Sequence, residues 1–275
     1  MLVEDYIIIL FFGLIGGFVS GLLGVGGGVL FIPALEFYLK KLGVNDADAV
    51  KFILANSLFV IIFSGIIITY KQIKLNNFYS KQVIQTTLPA LVSTIAVTYA
   101  IEQEWFLYDK KTYTLVFLFM LAPLVFRMFF DKQKDEIESN VFPNSMKMGF
   151  TGFFTGIITS VSGLGGGIVM VPVFTNLLKI NIKKATSIST GVIPVLAIAN
   201  VALYIFANNI QQLHNLQTGY IVYPLVLPLI IGVFVTAPLG VHAAKTMKPF
   251  TLKFIFASII SIVMIVKVLQ LNDVL

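Results

Sequence analysis

Polar letters are sparse along this chain and gather in short clusters. Between them lie ten apolar runs: Ile7–Val25, Val29–Lys40, Phe52–Tyr70, Gln82–Ile101, Thr112–Phe130, Met146–Leu164, Ile168–Leu178, Thr186–Phe206, Thr218–Ala244 and Thr251–Leu269. A helix needs about 20 apolar residues to cross a hydrocarbon core, and most of these runs are that long. Val29–Lys40 and Ile168–Leu178 are shorter, and each directly follows a glycine cluster. The pattern predicts an all-α membrane protein of five plus five helical segments, each set opening with a glycine-interrupted hairpin.

The clusters are "GVGGGVLFIP", Gly24 to Pro33, and "GLGGGIVMVP", Gly163 to Pro172, with five of ten letters identical. Each glycine costs a helix about 1 kcal/mol relative to Ala, so four in five positions predict a break. Setting Gly163 against Gly24 gives an offset of 163 − 24 = 139, at which Gly13 meets Gly152, Gly17 meets Gly156, Ser20 meets Thr159 and Pro33 meets Pro172. Further on, an offset of 133 sets Asn56 against Ser189 and Ser57 against Thr190. The chain reads as a duplication: residues 1–130 a first transmembrane repeat, 131–145 a charged cytoplasmic linker, and 146–275 a second repeat.

Charge turns the repeats into a topology. If each interrupted hairpin returns to the face it left, thirteen lysines and arginines fall on one side: Lys71, Lys74, Lys81, Arg127, Lys132, Lys134, Lys147, Lys179, Lys183, Lys184, Lys245, Lys248 and Lys253. Six fall on the other: Lys40, Lys41, Lys51, Lys110, Lys111 and Lys267. The positive-inside bias makes the first side cytoplasmic. Both termini are then outside, and the repeats enter the membrane from opposite faces. Inverted repeats of this kind recur in secondary transporters, with the site at mid-membrane where interrupted helices meet.

Composition narrows the chemistry further. Hydrophobic letters make up 57% and charged letters 12% of the 275 residues, and the net charge of +6 is spread along the flanks of the runs, which argues against a nucleic-acid partner and for a lipid bilayer. The two acids and missing basic region of "MLVEDYIII" argue against a cleaved signal peptide. With no cysteine, and with His214 and His242 far apart, neither a metal nor a cofactor is expected. An enzyme is not expected either, since Glu36 and His242 belong near opposite faces.

What remains is backbone. A half-helix starting at the glycines points its unpaired N–H groups and positive dipole end at whatever lies beside them, and such helix starts bind anions without a cationic side chain. The candidate substrate-binding residues are therefore Gly24, Gly26, Gly27, Gly28, Gly163, Gly165, Gly166 and Gly167. Ser20, Asn56, Ser57, Thr159, Ser189 and Thr190 are candidate side-chain donors. Against this, glycines in membrane helices also permit close packing, and Ser and Thr often bond their own helix. Glu36 is the candidate for proton coupling, with a pair to Lys40 as the plain alternative.

With these residues assembled, the sequence resembles the sulfite exporter TauE/SafE family. The resemblance rests on "GLIGGFVSGLLGVGGGVLFIPAL" and "GFFTGIITSVSGLGGGIVMVPVF" opening the two halves, on "KKATSIST", and on "LPLIIGVFVTAPLGVHAA". It implies a secondary transporter in the cytoplasmic membrane, an exporter of small sulfur-containing anions such as sulfite, thiosulfate or organosulfonates, working by alternating access. An anion channel and a membrane-embedded partner subunit are the alternatives, and the oligomeric state is unspecified.

Overall fold

The computed structural model describes residues 3–103, 142–207 and 210–271, with scattered positions between 111 and 126. Most of the Thr112–Phe130 run and of the 131–145 linker lies outside the described residues. The helices are α1 (Val3–Leu23), α2 (Gly28–Lys41), α3 (Asp46–Lys74), α4 (Ser80–Glu102), α5 (Ser145–Ser162), α6 (Gly167–Pro172), α7 (Ile182–Ile205), α8 (Tyr223–Thr246) and α9 (Pro249–Leu271). A single π-helical turn, Val173–Leu177, prolongs α6. Five of these elements, α1, α3, α4, α7 and α8, are long and apolar enough to cross a membrane. The chain is an all-α membrane protein by this measure, apart from one small ribbon.

That ribbon departs from the expected pattern. The run foreseen from Thr218 begins as a helix only at Tyr223, because β1 (Gln217–Thr218) and β2 (Ile221–Val222) pair across a turn at Gly219, whose φ is +56°. Pro224 then sits in the first turn of α8, where its missing N–H costs nothing.

Small residues set the helix packing. Along α1, a Cβ at Gly13, Gly17 or Gly21 would run into the backbone of α8 at Leu229, Val233 and Ala237. Along α5, a Cβ at Gly152 or Gly156 would run into the carbonyls of Thr86 and Ala90 on α4. Both pairs are therefore backbone-to-backbone contacts that no larger residue permits. Each half's first helix packs on the other half's fourth, and α3 and α7 pack on each other between them. The packing partners are unchanged when the halves are exchanged.

The outward faces are apolar. Ile7, Phe11, Ile15 and Phe18 on α1, and Leu227, Ile231, Phe234 and Leu239 on α8, are all exposed. Exposed apolar surface on this scale marks contact with something other than water.

Polar contacts define two ends. At one, Lys41 pairs with Asp5 at 2.7 Å, so the α1–α2 hairpin returns to the end it left. At that same end Asn45 N–H donates to Gln211 Oε1 (2.8 Å) and the Tyr220 hydroxyl to Asp48 (3.3 Å). At the other end, Gln85 donates to Ser145 (2.7 Å) and Lys183 to the Lys245 carbonyl (2.9 Å). There Lys184 also lies 5.7 Å from the Phe142 ring, which closes the second hairpin in the same way. Among the described residues, Lys71, Lys74, Lys81, Lys147, Lys179, Lys183, Lys184, Lys245 and Lys248 lie towards this second end. The described acids Glu4, Asp5, Asp48 and Glu102 lie towards the first, and Glu36 is on α2 leading to it.

Candidate functional site

The two glycine loops adopt one conformation. Gly24, Gly26 and Gly27 have φ of +69°, +85° and +81°, and Gly163, Gly165 and Gly166 have +68°, +74° and +75°. Such angles are open to glycine and strained for other residues. They end α1 and α5 and restart the chain as α2 and α6.

The loops also touch. A Cβ on Gly28 would lie 3.0 Å from Leu164 Cα and 3.1 Å from the Gly163 carbonyl oxygen. Reciprocally, a Cβ on Gly167 would lie 2.7 Å from Val25 Cα and 2.8 Å from the Gly24 oxygen. Ile61 of α3 and Ile193 of α7 flank both loops, each within 3.0–3.4 Å of where a Cβ on Gly26 or Gly165 would be.

Two reciprocal hydrogen bonds hold this arrangement. Ser57 Oγ donates to the Gly163 carbonyl and Ser189 Oγ to the Gly24 carbonyl, both at 2.9 Å. The structure thus relates Ser57 to Ser189, an offset of 189 − 57 = 132, one less than the sequence alignment of the halves suggests. Ser64 adds a bond to the Gly26 carbonyl at 2.9 Å. The Gly24, Gly26 and Gly163 carbonyls are thereby engaged, and the amides of Gly24 (to the Ser20 carbonyl, 2.8 Å), Gly163 (to the Thr159 carbonyl, 3.0 Å) and Leu164 (to Ser162 Oγ, 3.3 Å) are engaged too. Among the described residues none accepts a hydrogen bond from the N–H of Gly26, Gly27, Gly28, Gly165, Gly166 or Gly167. Neither Gly27 nor Gly166 can cap its helix with a side chain.

The remaining candidates divide. Asn56 is fully buried, but its amide donates to the carbonyls of Phe52 (2.7 Å) and Tyr220 (2.8 Å) and accepts from Val222 N–H (2.8 Å). It binds the ribbon to α3 and is not brought to the loops. Thr190 bonds the Ser187 carbonyl of its own helix at 2.9 Å, and Thr159 that of Thr155 at 2.7 Å. The Thr159 hydroxyl nonetheless borders Gly166. Ser20, one turn before Gly24, is fully buried, and among the described residues its hydroxyl has no partner. Glu36 is 7% exposed on α2, about 12 Å along the helix from Gly28. Among the described residues no group of three or more His, Asp or Glu is placed to hold a metal ion.

Two residues outside those candidates lie near the second loop or against the helix that leads to it: Thr155, whose methyl borders Gly166, and Thr94 of α4, which packs on α5 at Gly156. Thr94 and Thr155 are fully buried, and among the described residues their hydroxyls have no partner. A signal was present in the four-residue spacing of Thr151, Thr155 and Thr159, which puts hydroxyls on one helical face.

Tyr220, in the turn of the ribbon, is edge-on to Phe52 (5.0 Å between centroids) and Tyr204 (6.0 Å). Burial pushes its hydroxyl well above the usual phenol range, and the nearby Asp48 and Glu102 carboxylates push it the same way.

The comparison with known families settles what this architecture belongs to. The family model described as "Sulfite exporter TauE/SafE" matches residues 9–267. The chain belongs to the sulfite exporter TauE/SafE family. Among similar proteins is a "Probable membrane transporter protein" of Methanocaldococcus jannaschii, 29% identical over 253 residues that cover 91% of this chain and 90% of that one. Another of the same description, from Haemophilus influenzae, is 28% identical over 257 residues covering 92% and 94%. A third, from Bacillus subtilis, is 22% identical over 277 residues covering 94% and 96%. No solved structure matches the chain. The TauE/SafE family is one of membrane transporters, so the helices long enough to span a bilayer belong in one.

Proposed function

We propose that this chain is a secondary transporter of small sulfur-containing oxyanions, working as an exporter by alternating access around the paired glycine loops. The observation that carries the reading is the meeting of two interrupted helices whose free amides start at the same place. Helix starts of this kind favour anions through the aligned peptide dipoles and the unpaired N–H groups. The second helical run, Gly167–Leu177, is short, as suits a segment that starts inside the protein at the loop and runs back to one end. Ser57 and Ser189 orient the loops by binding their carbonyls, which turns the amides elsewhere.

The halves are inverted repeats in this reading, supported by packing partners that survive exchange of the halves and by the return of each hairpin to its own end. The lysine-rich end is cytoplasmic and both termini are outside. The 1–130 and 146–275 boundaries follow, with 131–145 as a cytoplasmic linker. Glu36 is a modest contributor to proton coupling.

Purified protein in proteoliposomes, loaded with sulfite, thiosulfate or sulfoacetate and assayed by exchange with external 35S-labelled anion, tests the reading. Saturable exchange of at least one of them is expected. Non-saturating conductance would make the protein a channel, and no flux or binding of any would remove the anion assignment.

A further inference from the structure

The two halves differ at one place beside the loops, and the difference is chemical. Packing places Thr86 and Ala90 of α4 where the other half has Leu229 and Val233 of α8, an offset of 229 − 86 = 143, while α1 and α5 are related by 139. The hydroxyl that ties the helices together is kept at this spacing. Ser93 donates to the Phe153 carbonyl at 2.7 Å, and Thr236, at 93 + 143, donates to the Leu14 carbonyl at 2.6 Å, with 153 − 14 = 139.

The partnerless hydroxyls are not kept. Thr94 corresponds to Ala237 and Thr155 to Gly16. In the first half the space over Gly16 is filled by the Phe31 ring, which also lies 2.7 Å from where a Cβ on Gly27 would be. In the second half the place of Phe31 is taken by Met170, and Gly166 faces the Thr155 methyl and the Thr159 hydroxyl instead. Thr94 Oγ1 comes within 2.8 Å of the Cβ position of Gly156, next to Thr155 in the chain. An equivalent helix pair is therefore built without these two hydroxyls, which removes packing as their reason. Leaving a buried hydroxyl unsatisfied costs about 1–3 kcal/mol.

We infer that Thr94 and Thr155 are the neutral hydrogen-bond donors that select the oxyanion, so that the substrate lies on the α4–α5 side of the second loop and the Phe31 side of the first is closed to it. This rests on the reading of the chain as an oxyanion transporter and assigns that site its selecting side chains. Two hydroxyls and the Gly165–Gly167 amides offer several donors and no positive charge. That set suits the tetrahedral or pyramidal oxygens of a sulfite or sulfonate group, which accept from several directions.

The test is Thr94→Val and Thr155→Val, each replacing a hydroxyl by a methyl of similar size, with Thr→Ser at both positions. Ser93→Ala serves as a scaffold control. Binding is read as the shift in melting temperature of detergent-purified protein with sulfite, thiosulfate, sulfoacetate and sulfate. Each Val variant is expected to need about tenfold more anion for the same shift. It should melt no lower than wild type without anion, because removing an unpartnered buried hydroxyl relieves a cost. The Ser variants should retain affinity, and Ser93→Ala should melt lower with affinity unchanged. If the wild type responds and the Val variants respond equally, the selecting role is overturned while the anion reading stands. Val variants that melt lower than wild type without anion would make the hydroxyls structural and also overturn it. If no anion shifts the wild type, the anion reading falls and the role assigned here falls with it.

Discussion

Gly167→Ala adds a single carbon at the point where the two loops cross, and the structure sets how much room it has. The new Cβ would lie 2.7 Å from Val25 Cα, 2.8 Å from the Gly24 carbonyl oxygen and 2.7 Å from Ile193 Cδ1. Ordinary contact begins near 3.4 Å, so the first loop has to retreat by about 3.4 − 2.7 = 0.7 Å. The Ile193 methyl can swing aside, but the backbone carbon and oxygen cannot move without the loop. Overpacking of this kind costs about 1–3 kcal/mol. The reciprocal change, Gly28→Ala, meets Leu164 Cα at 3.0 Å and the Gly163 oxygen at 3.1 Å, a retreat of about 0.3–0.4 Å at a correspondingly smaller cost. Gly167→Ala should therefore lower the apparent melting temperature more than Gly28→Ala, by about 2 °C or more per kcal/mol. The double variant should fall short of the sum, since one separation of the loops relieves both contacts. Exchange flux should follow the same order. Wild-type melting and flux in both single variants would refute the loop contact, and the reverse order would refute the reasoning from distances.

Three further outcomes follow from geometry described above. Single cysteines replacing Lys74 or Lys183 should resist an impermeant thiol reagent in intact cells while one at Lys41 reacts; labelling at Lys183 from outside would invert the topology. Asn56→Leu removes three hydrogen bonds and strands the Tyr220 carbonyl and the Val222 amide, so a loss of about 2–4 kcal/mol is expected, read as faster proteolysis within 207–222 and a lower melting temperature. Glu36→Gln should leave anion affinity within about twofold and change, at most, the pH dependence of flux; complete loss of binding in a folded variant would give Glu36 a larger role.

The loops were legible in the sequence because glycine density is a local property: four in five positions break a helix whatever surrounds them. The two ends were legible for the same reason, since lysines at the flanks of apolar runs sort by run parity alone. Asn56 was not. Its partners Tyr220 and Val222 are more than 160 positions away, in a ribbon that interrupts a run whose composition reads as helix throughout. The pairing of Ser57 with Ser189 escaped by one position, because letters along an apolar helix align nearly as well at 133 as at 132, and only a hydrogen bond decides. Thr94 and Thr155 looked like any hydroxyl that bonds its own helix, and their lack of such a bond is a property of three-dimensional packing.

The exchange of helices between halves bears on how the protein is made. The glycine face of α1 fits against Leu229, Val233 and Ala237, so α1 waits through some two hundred further residues of synthesis for its seat. Until α8 arrives, α1 presents to lipid the backbone that its glycines leave uncovered, and Ser57 has no Gly163 carbonyl to hold. Biogenesis is then all or nothing. Neither half can complete its own core, a chain truncated before α8 should be cleared by membrane quality control, and two halves supplied as separate polypeptides should survive only when made together.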